Sequence, residues 1–283
     1  MSPYRITEPT CISFSGGRTS AYMLKKVLDA GGGQLPDQAI VCFANTGKEE
    51  EATLKFVNDC SVNWGVKINW IEYQDHEEPE HRYKVVSYET ASRNGEPFEA
   101  IIRKRQYLPN PVTRFCTSEL KIRTMACFLK HSGLFDDYTK SELENSSWIG
   151  LRYDEGRRAA KVADKRRIPL FTAKVSVQDI GEFWEKQPFN LELPTYNGRT
   201  LAGNCDLCFL KPANQVATLI AEKPERAIWW ANMEALALAL ASKPSGATFR
   251  KDRPNYESMV KFAAEQLTVF DDTEEGIACF CGD

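Results

Sequence analysis

The chain has 283 residues, with 36 Lys and Arg against 39 Asp and Glu, and its net charge of −3 excludes attachment to nucleic acid or membrane by bulk charge alone. Hydrophobic residues at 42% and aromatics at 11% supply a sizeable core and exclude a disordered chain. The longest apolar run, residues 235–241, is far short of a membrane span, and MSPYRITEPT has no basic head followed by an apolar stretch, so a cytoplasmic protein with no membrane partner is expected.

A short apolar run at 11–15 leads through Gly16-Gly17 into a helical pattern over 19–28 that ends at Gly31-Gly32-Gly33. A second run at 39–44 passes through Asn45-Thr46-Gly47 into a helix over 49–60, and a third follows at 67–73. Strands separated by helices of this length predict right-handed crossovers and a parallel sheet flanked by helices, an α/β fold. Residues 74–110 are charged and irregular and read as an excursion from the sheet; 117–130 reads as a helix and 147–151 as another buried strand. After Pro169 helical stretches dominate, at 177–186, 212–222, 225–241 and 256–267. The division expected is 1–175 as a nucleotide-binding α/β domain and 176–283 as a helical C-terminal region, or else helices packed on the sheet as a layer of one domain.

Ser15-Gly16-Gly17-Arg18-Thr19-Ser20 lies between a strand and a helix. Glycines let backbone N–H groups approach a ligand, the helix N-terminus adds partial positive charge, and the hydroxyls add donors, so phosphate is the natural guest. A tight two-glycine turn with a Ser or Thr N-cap reads the same residues without a ligand.

Basic residues concentrate in two windows: seven in 101–130 against Glu119, and seven in 152–167 against Asp154, Glu155 and Asp164. Arg forks suit sulfate and phosphate, although a solvated helix face and a basic loop have the same composition. Nucleic acid, gripped through its phosphates, is a second class of partner for these windows.

Nine cysteines in an uneven, odd set point to metal or redox chemistry rather than a disulfide framework. Cys11, Cys42, Cys60 and Cys127 fall in apolar or helical patterns and read as packing residues. Cys205-Asp206-Leu207-Cys208 is a compact CxxC after Gly203, able to clamp a metal or one edge of a cluster, or to act as a dithiol pair. Cys279 and Cys281 end the chain in ACFCGD. Four cysteines at 205, 208, 279 and 281 also make an ordinary Zn²⁺ set. His76, His81 and His131 stand among charged or turn residues and read as surface groups, and Trp229-Trp230 as helix packing.

Four segments in order carry a family resemblance. SFSGGRTS resembles the SGGxDS PP-loop of the adenine nucleotide α-hydrolase-like superfamily. Asn45-Thr46-Gly47 with Glu49 resembles the DTG…E stretch of its sulfonucleotide reductase branch, the PAPS and APS reductases. Arg114-Phe115-Cys116-Thr117 with Lys121 resembles the CCxxxK segment, and Gly150-Leu151-Arg152 with Arg157 the GxR…R stretch. The match spans about residues 10–210, and small stand-alone phage-type members are the nearest in outline. Thr19 and Asn45 stand where the family has Asp, Thr117 where it has a second Cys, and no ECGxH-type tail is present.

The resemblance implies a Rossmann-like PP-loop fold binding ATP, APS or PAPS through Ser15 to Ser20, Asn45, Thr46, Gly47, Arg152 and Arg157. It implies a [4Fe–4S] cluster on Cys116, Cys205 and Cys208, with Cys281 as a fourth ligand; Zn²⁺ is the alternative. It implies Lys121 and a tail cysteine, Cys279 or Cys281, as catalytic groups, with thioredoxin or glutaredoxin as thiol donor. The same scaffold implies two rival activities: ATP-dependent thiolation of nucleic acid, and nucleotide binding without turnover beside a structural zinc.

Overall fold

A computed structural model describes residues 2–196, 199–240 and 246–265. The first part alternates β1 (Thr10–Ser13), α1 (Arg18–Ala30), β2 (Ala39–Asn45), α2 (Glu51–Trp64) and β3 (Ile68–Glu72). The 74–110 excursion holds more order than its charge predicts: an antiparallel edge strand β4 (Lys84–Val86) and a helix α3 (Glu96–Arg105). Pro97 in the first turn of α3, with Phe98, Ile101 and Ile102 buried on one face, is the local code for that helix.

The single helix expected over 117–130 is interrupted. It runs as α4 (Phe115–Thr117), a π-helical turn Ser118–Arg123, and α5 (Thr124–Leu129), with the Thr124 hydroxyl donating to Glu119 O. Next come α6 (Lys140–Asn145), β5 (Ser147–Ile149), α7 (Gly156–Ala160), α8 (Pro169–Thr172) and α9 (Val177–Glu185). The two-residue strands β6 (Thr195–Tyr196) and β7 (Arg199–Thr200) precede α10 (Ala213–Glu222), α11 (Arg226–Leu240) and α12 (Tyr256–Glu265).

The fold is α/β, a five-stranded, mostly parallel sheet of order β4-β3-β2-β1-β5. Strand alternation sorts its two faces. Ile12, Val41, Phe43 and Trp70 meet α1, α2 and α9, whereas Cys11, Cys42, Ala44 and Ile71 meet the layer of Leu129, Phe135 and Leu143. Cys11, Cys42 and Cys60 are buried packing residues. A second core joins Phe98, Ile102 and Phe115 to Leu207, Val216, Trp230, Phe249 and Tyr256.

Packing crosses position 175, because Ile180, Trp184 and Leu191 share the core of the sheet. Full burial of Trp184 alone contributes about 2–3 kcal/mol, and its Nε1 donates to Arg18 O at 3.0 Å. The C-terminal helices therefore pack directly on the α/β layer.

Among the described residues, no helix is long and apolar enough to cross a membrane.

Candidate functional site

Strand order reverses between β1 and β5, so the crevice at the C-terminal ends of these strands is where an open α/β sheet opens a ligand site. Four chain segments meet along this edge: the loops after β5, β1 and β2, and the turn carrying the CxxC.

The Ser15–Ser20 loop follows β1. Gly16 has φ +81°, and a Cβ there would lie 2.7 Å from Thr53 Cγ2 and 3.2 Å from the Phe43 ring, so both its conformation and its packing require glycine. Gly17 caps α1, with no side-chain cap and no acidic residue in the first turn. The backbone amides of that turn keep their positive end for an incoming anion. The hydroxyls of Ser15 and Ser20 also shape the loop. Ser15 and Ser20 Oγ lie 2.9 Å apart, Ser20 Oγ accepts from Ser15 N at 3.2 Å, and it donates to Gly17 O at 3.0 Å.

Arg18 also serves the frame. Its guanidinium donates to Asn190 Oδ1 (2.8 Å), Thr195 Oγ1 (2.6 Å) and Leu191 O (2.7 Å), tying α1 to the segment after α9. Burial lowers its proton affinity.

Gly150, at the end of β5, touches this loop. A Cβ on it would stand 3.0 Å from Ser20 Cα and 3.2 Å from Ser20 N. Two residues on, Arg152 Nη1 donates to Thr19 Oγ1 at 3.1 Å, while its other nitrogens face Asp154 (3.2 Å) and its Nη1 faces Glu155 (3.6 Å). The structure thus joins Arg152 to the loop and gives Thr19 a definite role as its acceptor. Arg157 is exposed on α7, just beyond that turn.

The loop after β2 is buried. Asn45 is fixed by neighbours: Nδ2 donates to Glu72 Oε1 (2.6 Å) and Ser92 O (2.8 Å), and Oδ1 accepts from Gly47 N (3.1 Å). Gly47 has φ +77° and lies against Gly95. Thr46 binds the Glu49 carboxylate through N (2.9 Å) and Oγ1 (2.9 and 3.0 Å). Lys121, from the π-helical turn, reaches Glu49 Oε1 at 3.9 Å.

Cys205 meets this group. Its Sγ lies 3.4 Å from Thr46 Oγ1, and residues 49 and 205 form an antiparallel β-bridge. Burial pushes its thiol well above the ordinary range, reinforced by Glu49 and Cys208 and opposed by Lys121 and Thr46. Such a thiol is a poor free nucleophile, and a bound cation is the partner that would make its thiolate form stable. Cys208 N donates to Cys205 O at 3.2 Å, closing the knuckle, and Asn204 before it has φ +61°. Lys211 Nζ holds Gly203 O and Cys205 O at 2.6 and 2.8 Å. Half-buried Cys116 packs on the same apolar cluster as Cys205 and Cys208. The three thiols expected to act together thus share one apolar environment.

Among the described residues no three Cys, His, Asp or Glu ligand atoms around Cys205 lie within 4.8 Å of one another. Cys279 and Cys281 lie outside the described residues.

Sequence reasoning missed the bolt behind the knuckle. Asp206, inside the CxxC, pairs with buried Lys48 at 3.1 Å, accepts from Trp230 Nε1 at 2.8 Å, and donates its amide to Lys48 O at 2.8 Å. Lys48 Nζ also lies 5.2 Å from the centre of the Trp229 ring. An acid inside a CxxC and a lysine directly after Asn-Thr-Gly were the available signals. The basic windows, by contrast, are largely neutralised: Arg105 and Arg123 pair with Glu119, Lys104 with Asp75, Arg158 with Glu155, and Arg167 with Glu8.

No protein-family model matches the chain. Over 213 residues, 72% of this chain and 67% of the other, it is 28% identical to the "Uncharacterized nin region protein ORF290" of Escherichia phage lambda.

Proposed function

We propose that the chain is a PP-loop adenine-nucleotide enzyme resembling the PAPS and APS reductases, with an iron–sulfur centre beside the nucleotide. The observation that carries this reading is convergence: the segments resembling the PP-loop, DTG…E, CCxxxK and GxR stretches, together with the CxxC, collect along the C-terminal edge of one sheet. In this reading the α1 amides receive phosphate or sulfate, and Arg152, anchored on Thr19, adds charge from the β5 side.

Cys116, Cys205 and Cys208 would hold the cluster, with Cys281 as fourth ligand. When bound, it would tie the Cys116 segment to the CxxC knuckle beside the sulfate-bearing end of the nucleotide. Lys121, 3.9 Å from Glu49 and near enough to favour the Cys205 thiolate, would orient the anion toward that end. A tail thiolate, Cys279 where Cys281 holds the cluster or Cys281 where it does not, attacks the sulfonucleotide sulfur. The S–O bond to the nucleotide breaks, AMP or PAP leaves, and a cysteine S-sulfonate remains. A thioredoxin- or glutaredoxin-type dithiol then reduces it, releasing sulfite and becoming the disulfide.

The test is anaerobic purification with iron and sulfide analysis, followed by sulfite release from APS and PAPS with a dithiol donor. Iron with matching sulfide, and turnover abolished by Cys279→Ser with Cys281→Ser, is the expected result. Zinc without sulfide, or turnover untouched by those substitutions, overturns it. Pyrophosphate release from ATP that requires RNA or DNA would transfer the site to thiolation, and nucleotide binding with no turnover would leave a binding protein.

A further inference from the structure

The backbone of the CxxC turn is gripped by side chains that the cysteine chemistry does not use. Besides the two carbonyls, of residues 203 and 205, that accept from Lys211 Nζ, three more end on side chains. The Tyr256 hydroxyl, at the start of α12, donates to Leu207 O at 2.7 Å. Arg253 Nη2 and Arg250 Nη1 donate to Phe209 O at 3.1 and 3.2 Å, and Arg253 Nη1 donates to Lys211 O at 2.9 Å. Every second carbonyl from residue 203 to residue 211 therefore accepts from a side chain, in a turn with no regular ladder to satisfy it. The grip on Cys205 is on its carbonyl, while its thiol faces Thr46 in the loop after β2.

Charge is the second observation. Arg250 is paired with Asp252, but among the described residues half-buried Lys211 and Arg253 form no ion pair. Glu234 and Asp252 act on Arg253 only at longer range, and both are engaged elsewhere: Glu234 by the amide of Tyr256, Asp252 by Arg250. A half-buried cation without a carboxylate is costly unless an anion is supplied nearby. Two thiolates bound to a metal are such an anion.

We infer that Lys211 and Arg253 are positioning residues of the thiol centre. They fix the 203–211 backbone so that Cys205 and Cys208 are presented together to a metal ion or a cluster edge, and they supply positive charge beside the thiolates. The inference rests on the metal-binding reading of the CxxC and extends it to two residues outside that motif, one of them at the foot of α12. Groups that orient metal ligands from behind change affinity about 10–100-fold when removed.

Anaerobic titration of the full chain with cobalt(II) tests this, because thiolate-to-cobalt charge-transfer absorption reports sulfur ligation without any turnover. Wild type is expected to show that absorption, and the Cys205→Ser/Cys208→Ser chain to lack it. Arg253→Met and Lys211→Met should each bind cobalt at least about tenfold more weakly. Arg253→Lys keeps the charge and loses the fork, so it recovers part of the affinity and serves where the methionine variant does not fold. Arg226→Met removes an ion pair to Glu50 (2.9 Å) at the start of α11 and is the control for lost stability; its cobalt affinity stays at the wild-type value. Wild type without absorption from these two cysteines overturns the metal reading and this inference with it. Absorption in wild type with equal affinity in the Arg253 and Lys211 variants, or an equal loss in Arg226→Met, overturns the positioning role alone.

Discussion

Asn45 and Glu72 are direct cross-strand neighbours on β2 and β3, and Asn45 Nδ2 donates to Glu72 Oε1 at 2.6 Å in a fully buried setting. Glu72 also accepts from Ser92 N (2.6 Å), Ser92 Oγ (2.7 Å) and Lys84 Nζ (2.8 Å). An amide donor is the side chain that satisfies this carboxylate, which accounts for Asn at position 45. Asn45→Asp would set two buried carboxylates against each other and cost about 3 kcal/mol or more at pH 7. Urea unfolding should show that loss shrinking toward pH 5, as one carboxyl takes up a proton.

Arg18 carries its charge for the fold. Arg18→Lys removes the planar fork that reaches Asn190, Leu191 and Thr195 together, for a loss of about 2 kcal/mol. On the function proposed above, nucleotide affinity should change by less than about tenfold, below about 1.4 kcal/mol. Isothermal titration beside urea unfolding separates the two effects, and a larger drop in affinity would assign the guanidinium to the ligand.

Gly150 is the contact through which β5 supports the Ser15–Ser20 loop. Because the Cβ of Gly150→Ala meets the backbone of Ser20 rather than a movable side chain, β5 and α1 must part. The expected cost is about 1–3 kcal/mol, and on the function proposed above nucleotide binding weakens with it. Alanine at Gly156, whose Cβ would meet nothing within 4 Å, is the control and should leave the thermal midpoint nearly unchanged.

Buried thiols give the metal-free protein a defined alkaline response. Hydrogen bonding to Cys11 and burial raise Cys42 well above the ordinary thiol value of 9.0, burial raises Cys60, and burial with Glu49 raises Cys205. Above pH 9 the unfolded chain releases protons that the folded chain retains, so stability falls as pH rises through that window and is unaffected below it. Thiolate absorbance at 240 nm should show these three cysteines silent in the native protein at pH 10 and ionised after denaturation. Cys60→Ala should remove its share of the slope.

The sheet was legible because its strands are short apolar runs punctuated by glycine, and because 39–45 and 68–72 are buried on both faces. The elements at 84–86 and 96–105 were hidden by the charges around them, although Gly95-Glu96-Pro97 marks a helix start. The π-helical turn at Ser118–Arg123 has no local signature, since it arises from tertiary placement of Glu119 and Lys121. The site was readable at Gly16, Gly47 and the CxxC, where backbone geometry or thiol spacing constrains residue type. It was unreadable at Lys48, Asp206 and Trp230, because a buried ion pair is visible only when distant segments are brought together. Charge counting overstated the basic windows for the same reason: partners such as Asp75 and Glu8 are remote in sequence.

The backbone bond from Asp206 to Lys48 O also sets an order of events. It closes a loop spanning more than half the chain, and the entropy of that closure must be met before any contact of the knuckle is gained. The knuckle therefore cannot dock on the loop after β2 until the chain has been made past Cys208. Until then Cys116, which packs on the same core, has no finished surroundings either, so all three thiols become ordered together.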